Sequence, residues 1–183
     1  MDAIYNENPA TLRAKRHDAL KSYGLTGAEI AQFEHNLLLS PTRQNILVEI
    51  AKSLDGVAGR GELFRHAMTV TAVEEVEVFL RSAALLPALH AQRPLAEILP
   101  GVRIPAAKLA DGRVLVAAAF DAGYWTADVA GYEAAVHKVL GDGPRELWLT
   151  GSISERARAE LKQRGWEVHD QAASLLSGKP KAT

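Results

Sequence analysis

The sequence contains no cysteine. Thiol catalysis, zinc–thiolate sites and disulfide frameworks are therefore excluded. Excess charge of either sign is also missing. Lysine and arginine number 21 against 22 aspartates and glutamates, which removes the electrostatic drive for general nucleic-acid binding. Long apolar runs are absent too. A membrane span needs roughly 20 apolar residues, and the best stretches, 83–89 and 114–120, are far shorter. Residues 1–9 carry neither a basic region nor an apolar run, so no signal peptide is visible. A cytoplasmic location is the default expectation, and a periplasmic or secreted one holds if a leader has been removed. No internal repeat and no low-complexity tract interrupts the chain.

What is present is enough for a core. The 183 residues suit one domain, or two small ones sharing a core. A chain of this length buries roughly 70% of its unfolded surface, so it needs no metal staple.

The first half reads helical. Pro9 opens a segment with Leu12, Ala19, Leu20 and Tyr23 on one side, and Gly24 stops it. Thr26-Gly-Ala-Glu29 is a capping box, followed by an apolar stripe of Ile30, Phe33, Leu37 and Leu38. Ser40-Pro41 starts a helix burying Ile46, Leu47, Ile50, Ala51 and Leu54. A short glycine-framed piece carries Leu63, Phe64, Ala67 and Met68. Thr71-Ala-Val-Glu74 reads as a second capping box, with Val73, Val76, Phe79, Leu80, Ala83 and Leu86 inward. Pro87 should kink or end that helix.

The second half alternates. Residues 103–109 and 114–120 flank Ala110-Asp111-Gly112, and Asp-Gly takes the positive φ values of a tight hairpin. The apolar run 114–120 suggests a strand covered on both faces. A helix over 126–140, with Val129, Val136 and Val139 inward, precedes a strand at 146–150. Ser152-Ile-Ser-Glu155 reads as a third capping box, its helix ends before Gly165, and 166–169 is a last strand. The expected class is mixed α/β. An N-terminal layer of four to five helices packs on a small, mostly parallel β-β-α-β-α-β sheet with 103–109 antiparallel at its edge. Residues 1–98 form a helical subdomain, 99–176 an α/β subdomain and 177–183 a flexible tail, the whole being one cooperative unit.

In such sheets a crevice opens beyond the carboxyl ends of the parallel strands. Those ends would gather Asp121, Tyr124 and Trp125 from the first, Thr150 and Ser152 from the second, and His169 and Asp170 from the third. These seven are the ligand-binding candidates. Each has a structural alternative: a cap, a turn, or a core aromatic. The turn 149–154 (LTGSIS) would let Gly151 approach a phosphate at a helix N-terminus. Neither G-x-G-x-x-G nor G-x-x-x-x-G-K-[ST] is present, and Glu155 stands close by. Asp121 at one strand end and Thr150 at the next resemble two elements of the haloacid-dehalogenase-like phosphatases. That family needs a second acid two residues after the nucleophile, and Gly123 stands there.

No catalytic constellation is complete. The histidines at 17, 35, 66, 90, 137 and 169 lie in different segments with no H-E-x-x-H pair, and G-x-S-x-G is missing. Arg60, between Gly59 and Gly61, reads as a loop arginine. Arg13, Lys15, Arg16, His17 and Lys21 make a basic collar on the first helix, read as a solvated face, so nucleic acid is an unlikely partner. The leading expectation is a non-enzymatic binding or protein-interaction module without cofactor or bound metal. Its partner would be a small ligand at the sheet edge, a protein added to strand 103–109, or a second copy through the helical half. The alternative is a divalent-metal hydrolase or phosphotransferase. It would use Asp121, with Asp170 or Asp128 as second ligand and Thr150 or Ser152 orienting phosphate.

Overall fold

The computed structural model describes residues 8–177. Residues 178–183 of the expected tail lie outside them. Among the described residues six helices precede the sheet: α1 (Pro9–Ser22), α2 (Gly27–Glu34), α3 (Pro41–Lys52), α4 (Gly61–Ala67), α5 (Val73–Ala83) and α6 (Leu85–Gln92). Then follow β1 (Leu95–Leu99), β2 (Ala106–Leu109), β3 (Val114–Ala118), β4 (Ala122–Gly123), α7 (Ala127–Leu140), β5 (Arg145–Leu149), β6 (Ser152–Ile153), α8 (Glu155–Gln163) and β7 (Trp166–His169). A 3-10 turn, Ala172–Ser177, closes the described chain. No helix among the described residues is long and apolar enough to cross a membrane.

Local signals account for most helix ends. The Thr26 hydroxyl accepts from the Glu29 amide while the Thr26 amide donates to the Glu29 carboxylate at 2.8 Å. Gly24 takes φ +81° after α1, which only glycine adopts without strain. Two boxes shift. Ala72 is the N-cap of α5, and Thr71 bonds Glu75 rather than Glu74 through both its amide and its hydroxyl. Ser154, not Ser152, caps α8, because Ser152 is drawn into a strand. Pro87 falls in the first turn of α6, where a missing amide hydrogen costs nothing. The helix expected to run on to Leu86 therefore ends at Ala83, and among the described residues the helical layer has six members rather than four or five.

The main sheet has the order β1-β2-β3-β5-β7. Its first two pairings are antiparallel, and β3–β5 and β5–β7 are parallel. The strand expected at 103–109 begins only at Ala106 and is not an edge. The unforeseen β1 lies against it, so no partner strand can add there. The Ala58 amide donates to Ala96 and the Ile98 amide to Ala58, so a loop also covers part of β1.

Side-chain alternation divides the core. Leu115 and Ala117 of β3, with Ala107 and Leu109 of β2, pack among helices α1–α6. Val116 and Ala106 face Val136 of α7, Leu161 of α8 and Trp166. Ser82 of α5 is fully buried, and its hydroxyl accepts from the Ala119 amide at 2.9 Å, which ties the helical layer to the end of β3. Three residues of the helical layer depart from the expected stripes: Leu37 is 99% exposed, Val73 is exposed, and Arg16 of the supposed solvated collar is buried against Asn45. The Arg60 guanidinium covers the Tyr23 ring.

Residue 98 sits inside β1, and the helical layer covers one face of β3. Removing residues 1–98 would strip that face. One unfolding transition is therefore expected, with no stable 99–176 fragment from limited proteolysis. A folded fragment of that size in the digest would show two independent units.

Candidate functional site

The exits of the parallel strands do gather. The Thr150 amide donates to the Ala118 carbonyl at 3.0 Å, and the Gln171 amide donates to Gly151 at 2.7 Å. The rim is sealed, however. β4 and β6 form a second, short parallel ladder directly beyond the main sheet. The amides of Gly151, Ser152 and Ser154 donate to the carbonyls of Phe120, Asp121 and Gly123. None of these three amides is left for an anion. Gly151 serves chain packing: a Cβ there would stand 2.0 Å from the Asp121 carbonyl oxygen.

The seven candidates separate. Asp121 is 94% exposed and 3.7 Å from Arg81. Thr150 is buried, and its hydroxyl donates to the Phe120 carbonyl. Ser152 is exposed in β6. Asp170 pairs with Arg158 at 2.6 Å. His169 lies flat on Trp148, with ring centroids 4.2 Å apart, on the face of the sheet opposite Trp166. Among the described residues no three histidine, aspartate or glutamate side chains gather where a metal ion could be held. Tyr124 and Trp125 do come together, on the wall of a cavity.

That cavity of about 650 Å³ lies between the sheet and α7. Its floor is Val116 and Ala118 of β3, Leu147 and Leu149 of β5, and Trp166 of β7. It exists because α7 sits high. Of its 14 residues only Glu133 and Val136 are buried, and Val129 and Val139, expected inward, are 39% and 51% exposed. Small residues at Ala118, Gly123 and Ala157 leave the space below unfilled.

Polar groups stand at two ends. At one, the Glu133 carboxylate accepts from the Trp166 indole at 2.8 Å and lies 3.5 Å from Arg164, whose guanidinium covers the Trp125 ring. At the other, His66 lies against Phe79, with ring centroids 4.6 Å apart. Burial pushes the His66 imidazole below its ordinary value, opposed by a hydrogen bond toward the Arg103 carbonyl and aided by the Arg103 charge. It is therefore neutral at pH 7. The Tyr132 hydroxyl is buried and lies toward the amides of Arg103 and Ile104 without completing a hydrogen bond. Burial raises its pKa, which keeps it protonated.

No family model, curated protein or solved structure matches this chain.

The cavity residues absent from the sequence-based set include His66, Phe79, Arg103, Tyr132, Glu133 and Trp166. Two had a local signal. Tyr132 and Glu133 lie three and four residues after Val129 and complete its stripe toward Val136. The others come from segments far apart in sequence, and no spacing joins them.

Proposed function

We propose that this protein is a non-enzymatic module that binds a small, mainly apolar molecule between its sheet and α7. The observation that carries the reading is the 650 Å³ apolar space itself. Ligand sites run from roughly 300 to 1,000 Å³ and combine apolar walls with a few placed polar groups. The charged groups on its walls support binding rather than chemistry. Arg103 is paired with Glu75, and Glu133 with Trp166 and Arg164.

The test uses the neutral dye N-phenyl-1-naphthylamine. Saturable one-to-one binding with enhanced emission is expected. A ligand present at a hundred times its Kd should add about 2.7 kcal/mol of stability, or roughly 5–11 °C in Tm. Ala118→Phe places a ring on the cavity floor. It should weaken dye binding at least about tenfold, or 1.4 kcal/mol, while Tm holds or rises because apolar surface is filled. Non-saturable dye binding that Ala118→Phe leaves unchanged would refute the proposal.

A further inference from the structure

We infer that the cavity selects amphiphilic cations, with an apolar body lying between the sheet and α7 and an ammonium head at the mouth. The inference rests on the binding function proposed above and adds the class of ligand. Cavity-lining residues that are also exposed mark where the cavity meets solvent. Phe120, Tyr124 and Val129 are such residues, 41%, 67% and 39% exposed. Glu74 of α5 and Asp128 of α7 are the exposed acids on the same walls.

The charges on the walls do not cancel. Arg103 lies 2.8 Å from Glu75, and Glu133 lies 3.5 Å from Arg164, so these two pairs carry no net charge. Among the described residues Glu74 and Asp128 form no salt bridge, which leaves two negative charges uncompensated. Each stands in the first turn of its helix, where the dipole supplies roughly half a positive charge. That offsets part of each carboxylate and leaves the mouth negative. An anionic head is repelled there and a cationic one attracted.

Aromatic rings add to the attraction. A cation within about 6 Å of a ring centre is drawn to the ring face, and Tyr124 and Phe120 are the exposed aromatics of the cavity wall. Two other wall rings already hold cations in this way. The Arg164 guanidinium stands 4.6 Å from the centre of Trp125, and that of Arg145 stands 5.0 Å from the centre of Trp166. A head group at the mouth keeps part of its water, so the cost of burying an ammonium among apolar walls is avoided. The body meets Val116, Leu147 and Leu149 on the floor.

Displacement of the bound dye by decyltrimethylammonium, 1-decanol and decanoate, at about 20 mM salt, reads the preference. The three share one chain length, and the quaternary head neither titrates nor donates a hydrogen bond. The cation should displace at least about fivefold better than decanol, the scale of a single charge pair in water, and decanoate should be weaker than decanol. Raising the salt to about 500 mM should remove most of that margin, because exposed charges are then screened. In Glu74→Gln/Asp128→Asn the ratio of cation to decanol affinity should fall at least about threefold. Glu97→Gln, at an exposed acid outside the cavity, should leave the ratio unchanged. A cation no better than decanol, a decanoate as good as the cation, or a margin insensitive to salt would overturn the inference. So would a ratio that survives the double substitution or falls equally in Glu97→Gln. In each of these the dye still binds, so the cavity reading stands. Failure of the dye to bind the wild-type protein would remove both.

Discussion

Glu146→Ala is expected to destabilise the protein by about 3 kcal/mol, the lower end of the range for breaking a buried ion pair. The Glu146 side chain is 1% exposed on β5. Arg93, just after α6, donates to both of its oxygens at 2.7 and 2.8 Å. Arg113 approaches at 2.9 Å, and the Trp148 indole donates at 3.0 Å. Removing the carboxylate leaves two guanidiniums facing each other at the join of helical layer and sheet. Both keep about a third of their surface in solvent, which holds the loss at the lower end. Urea unfolding followed by circular dichroism measures it. A loss below about 1 kcal/mol would mean that Asp111, beside both arginines, takes over the pairing.

The same carboxylate sets an acid limb. Burial alone would raise its pKa. Hydrogen bonds from Arg93 and Trp148, with the charges of Arg93 and Arg113, outweigh burial and hold it below the usual value. A depressed carboxyl contributes stability above its unfolded pKa of roughly 4.3. That contribution is lost as pH falls through the lower folded value. Glu146→Gln should therefore show a flatter fall of Tm below about pH 4.3 than the wild-type protein. Parallel acid limbs would place the titration elsewhere.

Gly151→Ala is expected to cost about 3 kcal/mol or more, the upper range for forced overpacking. The added carbon would lie 2.0 Å from the Asp121 carbonyl oxygen, 2.3 Å from its carbon and 2.5 Å from the Phe120 oxygen. All three are backbone atoms, so no side chain can turn aside. Moving the strands apart would stretch the bonds from the Gly151 and Ser152 amides to Phe120 and Asp121. The β4–β6 ladder, which seals the strand exits, would open. Gly131→Ala is the matched control, because a Cβ there meets nothing within 4 Å and the position is helical. It should stabilise by about 0.5–1 kcal/mol. Equal Tm values for the two variants would show that the exits tolerate separation.

Much of the secondary structure was legible because it depends on neighbours in sequence. The run 114–120 is apolar throughout, and β3 is buried along its whole length. The hairpin at Asp111-Gly112 forms, with Gly112 at φ +90°. β1 was not legible. It is five residues long, follows Pro94, carries the exposed Glu97, and its register slips between Leu95 and Glu97. A short, irregular strand has too few alternating positions to be distinguished from a loop. The serine pair at 152 and 154 shows a related limit. Either can cap a helix, and the pairing of Ser152 with Ala122, thirty residues away, made the choice.

The candidate site divides along the same line. Tyr124 and Trp125 were found because strand ends in an α/β sheet are marked by periodicity. Thr150, His169 and Asp170 were named for their chemistry, which is engaged with neighbours a sequence does not show, and Asp121 and Ser152 stand exposed on the surface. By itself the sequence determined a mixed α/β chain, its main helices and strands, and the absence of thiol chemistry, since these follow from composition and local spacing. The tertiary structure alone decided that α7 stands off the sheet. The height of a helix above a sheet is set by the combined volumes of side chains such as Trp166, Val116 and Tyr132, which meet only when the chain is folded.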